Sequence, residues 1–187
     1  YKNLIPGFTE EKPWIDHYRV AYRNMLGQSG ERTLVSTIIP PKTSHVHTVC
    51  SVCFESDDNC IELAALSGSI ILDFYAKTLG ASNLSVSRLG SFPLGLNPEY
   101  KEHLTSRILR LNCLTTAYSE LWENNFSDSF REHNWSSNDC RLSAFNCAHK
   151  KWNKAYTLKN TYERRYAQIE IDVICAMGLG LSLDDII

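Results

Sequence analysis

Between Tyr18 and Lys42 the chain reads YRVAYRNMLGQSGERTLVSTIIPPK, two apolar runs joined by a turn and closed by Pro40-Pro41. In the first run, Tyr18–Leu26, the residues Tyr18, Val20 and Tyr22 alternate with Arg19, Ala21 and Arg23. Period two is the mark of a half-buried strand, so Arg19 and Arg23 are expected to project together on its polar side. The second run, Thr33–Ile39, is rich in β-branched residues on both faces, as in a more buried strand. Gly27-Gln28-Ser29-Gly30 between them makes a hairpin the expectation. Arg32, at the start of the second strand, would then lie near the arginines of the first.

The rest of the chain turns from strands to helices. Residues 1–16, with Pro6-Gly7 and Pro13-Trp14, read as a leading loop anchored by Trp14, and His47–Phe54 reads as a third strand. Asn59 followed by Glu62 signals a helix start, with the helix running to about Leu79 and stopping at Gly80. Its apolar residues surround most of the helix, so it should be buried against the sheet. Ala81–Leu96 reads as loop plus short strand. Asn97-Pro98 opens a second helix, whose stripe Leu104, Ile108, Leu111, Leu114, Tyr118, Leu121 runs to about Trp122. Asn124–Asn138 reads as a loop, Asp139–Trp152 as a shorter helix, and Asn160 with Glu163 caps a last helix. Strands first and helices after is an α+β order. The expected division is a strand-rich core with one buried helix over 1–96 and a helical bracing segment of the same domain over 97–187.

At 187 residues, 43% hydrophobic and 21% charged, the composition is that of an ordinary globular domain. No apolar run approaches the roughly 20 residues of a membrane helix, and the start is not a signal peptide. A cytoplasmic protein without a membrane partner is expected. Seven cysteines, an odd number without regular spacing, fit reduced thiols better than a disulfide framework. The missing initiator Met and an end that reads like a helix cut short point to a piece of a larger protein. A net charge of −2 argues against indiscriminate nucleic-acid binding, so a DNA footprint has to be a local patch. From Arg141 to Arg165 there are seven basic residues against the single acid Glu163.

The wording of the first hairpin, Tyr18-Arg19…Tyr22-Arg23…Glu31-Arg32-Thr33-Leu34-Val35…Ile38-Ile39-Pro40-Pro41, resembles the target-recognition region of fused type II (type IIG) restriction–modification enzymes and related adenine-N6 DNA methyltransferases. Two later stretches are similar to the same family in the same order. One is Asn83…Leu89-Gly90-Ser91-Phe92-Pro93-Leu94, and the other is Arg164-Arg165…Ile169-Glu170-Ile171-Asp172…Ala176-Met177-Gly178-Leu179. The chain departs from the family pattern at Asn24, where an acid is common, and at Ser29-Gly30, where Thr-Asn is common. The resemblance implies sequence-specific binding of double-stranded DNA. It also implies a parent polypeptide with a methyltransferase domain using S-adenosylmethionine and, in the fused class, a Mg²⁺-dependent nuclease domain. No cofactor is expected in this stretch itself.

Arg19, Arg23 and Arg32 are the leading candidates for DNA contact, because a guanidinium grips guanine or phosphate through two donors. The plainer reading is a solvated strand face paired with Glu31 or Asp16. Lys42, Ser44, His45 and His47 follow the second strand on a Pro-led loop, and Ser85, Ser87 and Arg88 lie on the exit from the buried helix. Loops on a rigid scaffold commonly carry recognition groups, though simple loop polarity is the alternative. Lys150, Lys151 and Lys154, interleaved with Trp152 and Tyr156, suit phosphate contacts or merely a solvated face. His45-x-His47-x2-Cys50-x2-Cys53 invites a zinc reading, but strand alternation sends the two cysteines to opposite faces and no metal is expected. No nucleophile–base pair, S-adenosylmethionine loop or nuclease cluster appears, so no catalytic residue is assigned and a free-standing enzyme is disfavoured. The other reading is a protein-interaction module that braces the methyltransferase domain without reading bases.

Overall fold

The chain is α+β, with an antiparallel sheet first and helices after it. The computed structural model describes residues 13–27 and 29–185, so the early Pro6-Gly7 turn lies outside the described residues. The strands are β1 (Arg19–Arg23), β2 (Ser36–Ile39) and β3 (Val49–Cys53), arranged β2-β1-β3 with β1 antiparallel to both neighbours. The first two apolar runs do pair as a hairpin, Arg19 opposite Ile39 and Tyr22 opposite Ser36. The connection is longer than the Gly turn suggests, because β2 begins at Ser36 rather than Thr33.

Alternation along β1 decides the two faces of the sheet. Val20 and Tyr22 point inward, where the Tyr22 hydroxyl meets Ser67 Oγ at 2.7 Å in the buried interior. Arg19, Ala21 and Arg23 point outward. Since β2 and β3 flank β1 and run parallel to each other, residues 40–48 must cross β1 to join them. They cross its outer face: the Lys42 N–H donates to Ile15 O at 2.7 Å, and His45 Nε2 sits 2.9 Å from Ser51 Oγ. The free edge of β2 is closed by side chains. Asn112 Oδ1 accepts from Ile38 N at 3.1 Å, and the Tyr118 hydroxyl donates to Ile38 O at 3.0 Å. Exposed edges template unwanted pairing, and these two groups remove the template there.

The buried helix expected to run from Asn59 to Leu79 is two helices, α1 (Asp57–Gly68) and α2 (Ile70–Thr78), bent by 71° at Ser69. Ser69 is extended (ψ 152°), and its hydroxyl accepts from Leu72 N and donates to Leu66 O. It therefore ends one helix and caps the next, a role serine fills well. Ser56, not Asn59, caps α1. Gly80 does stop α2, with its backbone at φ 60°. After it come the short α3 (Val86–Leu89) and, where a strand was expected, only the isolated bridge Met25–Asn83.

The second long helix is also interrupted. A 3-10 turn at Pro98–Tyr100 leads into α4 (Lys101–Asn112), and α5 (Ser119–Asn125) follows another 3-10 turn. The break at Cys113 lets its carbonyl accept from Trp152 Nε1 at 2.8 Å. No helix forms over Asp139–Trp152; that stretch is turns. Its backbone groups are taken by side chains from elsewhere, including Ser143 N on Glu163 Oε1 and Phe145 O on Arg110 Nη2. Trp122 Nε1 likewise donates to His149 O. The last helix, α6 (Thr161–Gly178), is capped by Asn160 as its sequence predicts. One continuous core runs from Tyr18 and Val20 through Leu66 and Leu109 to Ile171 and Cys175, shared by both halves of the chain. Among the described residues no single helix is long and apolar enough to cross a membrane.

Candidate nucleic-acid interface

The three arginines of the first hairpin diverge. Arg19 has 0% exposure. Its guanidinium lies 4.9 Å from the centre of the Trp14 ring and donates through Nη2 to Thr43 O, both groups belonging to the cover over the outer face of β1. Burial pushes its pKa down. Arg32 lies in the β1–β2 connection, not on a strand, and pairs with Asp172 of α6 at 2.8 Å. The other oxygen of Asp172 accepts from Ile70 N at 2.6 Å, so this pair clamps the connection, α2 and α6 together. Only Arg23 stays exposed, held by donation from Nε to Met25 O at 2.9 Å. Period-two reasoning chose the face correctly. It could not see that the β2–β3 crossover would cover half of that face.

What the fold does assemble is a set of loops at the end of β1 that carries Arg23. Asn24 N donates to Thr48 O at 2.8 Å, Leu84 N to Asn24 O at 2.8 Å, and Leu26 N to Ser82 O at 2.9 Å. Arg88 Nη1 donates to Asn83 O at 3.1 Å, and Ser85 Oγ meets Ser87 Oγ at 2.9 Å. Residues 23–26, 47–48 and 82–88 are thereby laced into one surface. It gathers five of the residues singled out from sequence: Arg23, His47, Ser85, Ser87 and Arg88. Met25, 67% exposed, lies within it, and Val46, 72% exposed, lies beside it. The nearest acid of the β1–β2 connection, Glu31, is paired with Arg165. The surface carries two arginines among polar groups with apolar tips, a composition that suits a phosphate-flanked base edge. Asn24, Met25 and Asn83 were not read from sequence as candidates. A Met directly after Arg23-Asn24 was the sequence signal, and its exposure is seen only in the fold.

The other candidates sit elsewhere. Lys42 is exposed at the opposite end of β1, beside Ile15, with its backbone in the left-handed region at φ 61°. Exposed His45 leans onto β3 through Ser51. Lys150, Lys151 and Lys154 are exposed on the irregular segment that Trp122 and Trp152 tie to α5 and the end of α4. Cys50 and Cys53 take the two faces of β3: the Cys50 thiol reaches Tyr22 O at 3.9 Å and the Cys53 thiol Trp14 O at 3.4 Å. Among the described residues no three His, Cys, Asp or Glu side chains are placed to hold a metal ion.

A second polar cluster lies under the irregular segment. His133 is buried, stacks on His103 with ring centres 4.1 Å apart, and places Nδ1 3.1 Å from Ser106 Oγ. Burial first, then His103, Arg107 and Arg110, opposed only by Glu102, lower its pKa to about 4. The unfolded chain binds a proton near pH 6.5, so it holds more protons than the folded chain between those values. This contribution is complete above about pH 6.5 and is lost as the pH falls toward 4. Urea unfolding at pH 7 and pH 4.5 should show the wild type losing about 2 kcal/mol more than His133→Asn. Equal losses would mean that His133 is not the group responsible.

Compared with known proteins, the chain matches no family model, no curated protein and no solved structure.

Proposed function

We propose that this chain binds double-stranded DNA in a sequence-specific manner, as the target-recognition region of a fused restriction–modification enzyme or adenine-N6 DNA methyltransferase. The observation that carries this reading is the lacing of Arg23, His47, Ser87 and Arg88 onto one exposed end of a rigid sheet. In it, Arg23 and Arg88 meet phosphates or guanine edges. His47, Asn83 and the two serines offer hydrogen bonds, and Met25 and Val46 give apolar contact with thymine methyls. The parent enzyme would act in the cytoplasm. Its methyltransferase domain would bring S-adenosylmethionine, and a nuclease domain, where fused, Mg²⁺.

Fluorescence anisotropy with random-sequence duplex DNA tests it. The affinity should fall steeply with salt, and Arg23→Ala/Arg88→Ala should lower the log–log salt slope by roughly 2 while weakening binding about 10- to 100-fold. Arg32→Ala, which loses an internal ion pair, should leave the slope unchanged. Absence of binding at low salt, or a slope indifferent to the double change, would sink the reading. A second reading has its own observation. Ile169, Val173 and Met177 line a cleft of about 410 Å³ along α6, and Ile70 and Phe74 are exposed on the adjoining α2. Apolar surface of this kind suits a bracing module docked on a methyltransferase domain. That module would pull down the domain yet show no salt-dependent DNA affinity.

A further inference from the structure

A cleft of about 690 Å³ opens between β3 and the segment Leu89–Leu94, with Phe54, Phe92 and Leu94 among its apolar lining and Trp14 and His45 beside them. Arg19 also lines it. Among the described residues its guanidinium makes one hydrogen bond, to Thr43 O, while Nε and Nη1 are buried with no acceptor. No carboxylate pairs with it among the described residues. Arg107, also buried, has Glu170 at 2.7 Å. A buried cation with unused donors is costly unless an acceptor reaches it. Clefts of this size, mostly apolar with a few convergent polar groups, are the usual form of small-molecule sites.

We infer that this cleft binds a small amphipathic anion, its apolar body against Phe54, Phe92 and Leu94 and its acid group on Arg19. The acid group takes the position that the Trp14 ring now covers, so binding displaces the indole and supplies the acceptor that Arg19 lacks among the described residues. The shared chemistry is an oxyanion on an apolar tail, whether carboxylate or phosphate. Arg19 lies at the opposite end of β1 from the loops assigned to DNA, although the cleft extends along β3 to Val49 and Leu89 beside them; the inference stands whether or not those loops bind a duplex.

Octanoate, octyl phosphate and octanol carry the same tail and differ in the head group. In calorimetric titrations of the full chain, at least one of the two anions should bind at least about tenfold more tightly than octanol. Arg19→Met should abolish that preference while leaving the affinity for octanol unchanged. Leu94→Trp alters a rim side chain that is 44% exposed, so the core is untouched while the cleft is filled from outside. It should remove binding of all three, and it carries the test should Arg19→Met fail to fold. Tighter binding of octanoate assigns a carboxylate ligand, and tighter binding of octyl phosphate assigns a phosphate ligand. The inference is overturned by octanol binding as well as both anions, by no binding of either anion, or by anion affinity that survives Leu94→Trp.

Discussion

Glu170→Ala should destabilise the fold by about 3–5 kcal/mol, the largest effect expected of any single change discussed. Glu170 and Arg107 meet at 2.7 Å with side chains only 5% exposed, deep between α6 and α4. Arg107 also donates to His103 O and Asn134 O, and the second oxygen of Glu170 accepts from Ser136 N at 2.6 Å. Removing the carboxylate strands a buried guanidinium and a backbone N–H at once. The pair itself is a weaker source of stability than that number implies, because both ions were desolvated to form it. Arg107→Met/Glu170→Leu should therefore recover most of the loss. Urea titrations of the two single variants and the double variant form the cycle that measures this. A double variant as unstable as Glu170→Ala would show that shape and hydrogen bonding, not the stranded charge, set the cost.

Asp73→Ala ranks second, at about 2–4 kcal/mol. One oxygen of this buried carboxylate accepts from both Thr33 N and Leu34 N at 2.7 Å, and the other lies 3.2 Å from Lys77 Nζ. The side chain reaches from α2 into the β1–β2 connection and substitutes for ladder bonds that the connection does not have. Alanine leaves two buried N–H groups without acceptors, the expensive side of hydrogen-bond energetics. Hydrogen exchange should report the loss locally as faster exchange at Thr33 and Leu34. Unchanged exchange at those two amides, with stability within 0.5 kcal/mol of wild type on the usual scale of surface changes, would contradict this account.

The parts legible in the sequence were those governed by local rules. Alternation over Tyr18–Arg23 placed β1 and its faces, the β-branched run gave β2, and Asn160 marked the start of α6. What escaped was decided at long range. The break at Ser69 looked like mid-helix serine, because helical periodicity continues through it. The stretch 139–152 has enough apolar spacing for a helix, yet Glu163, Arg110 and Trp122 claim its backbone from distant positions. The candidate site divides in the same way. Arg23, His47, Ser87 and Arg88 were visible as exposed polar groups near turns. Their common end of the sheet depends on the Met25–Asn83 bridge, a pairing 58 residues apart that no local pattern encodes. Arg19 was assigned to an open face that the crossover of residues 40–48 closes.

The side-chain closure of the β2 edge also sets a clock. Ile38 receives its partner Asn112 from 74 residues further along the chain. At the usual pace of translation that segment leaves the ribosome about 4–15 s after the strand does. For those seconds the emerging sheet carries an unguarded rim at Ile38, a risk of misassembly that falls during synthesis, before the helix that closes it exists.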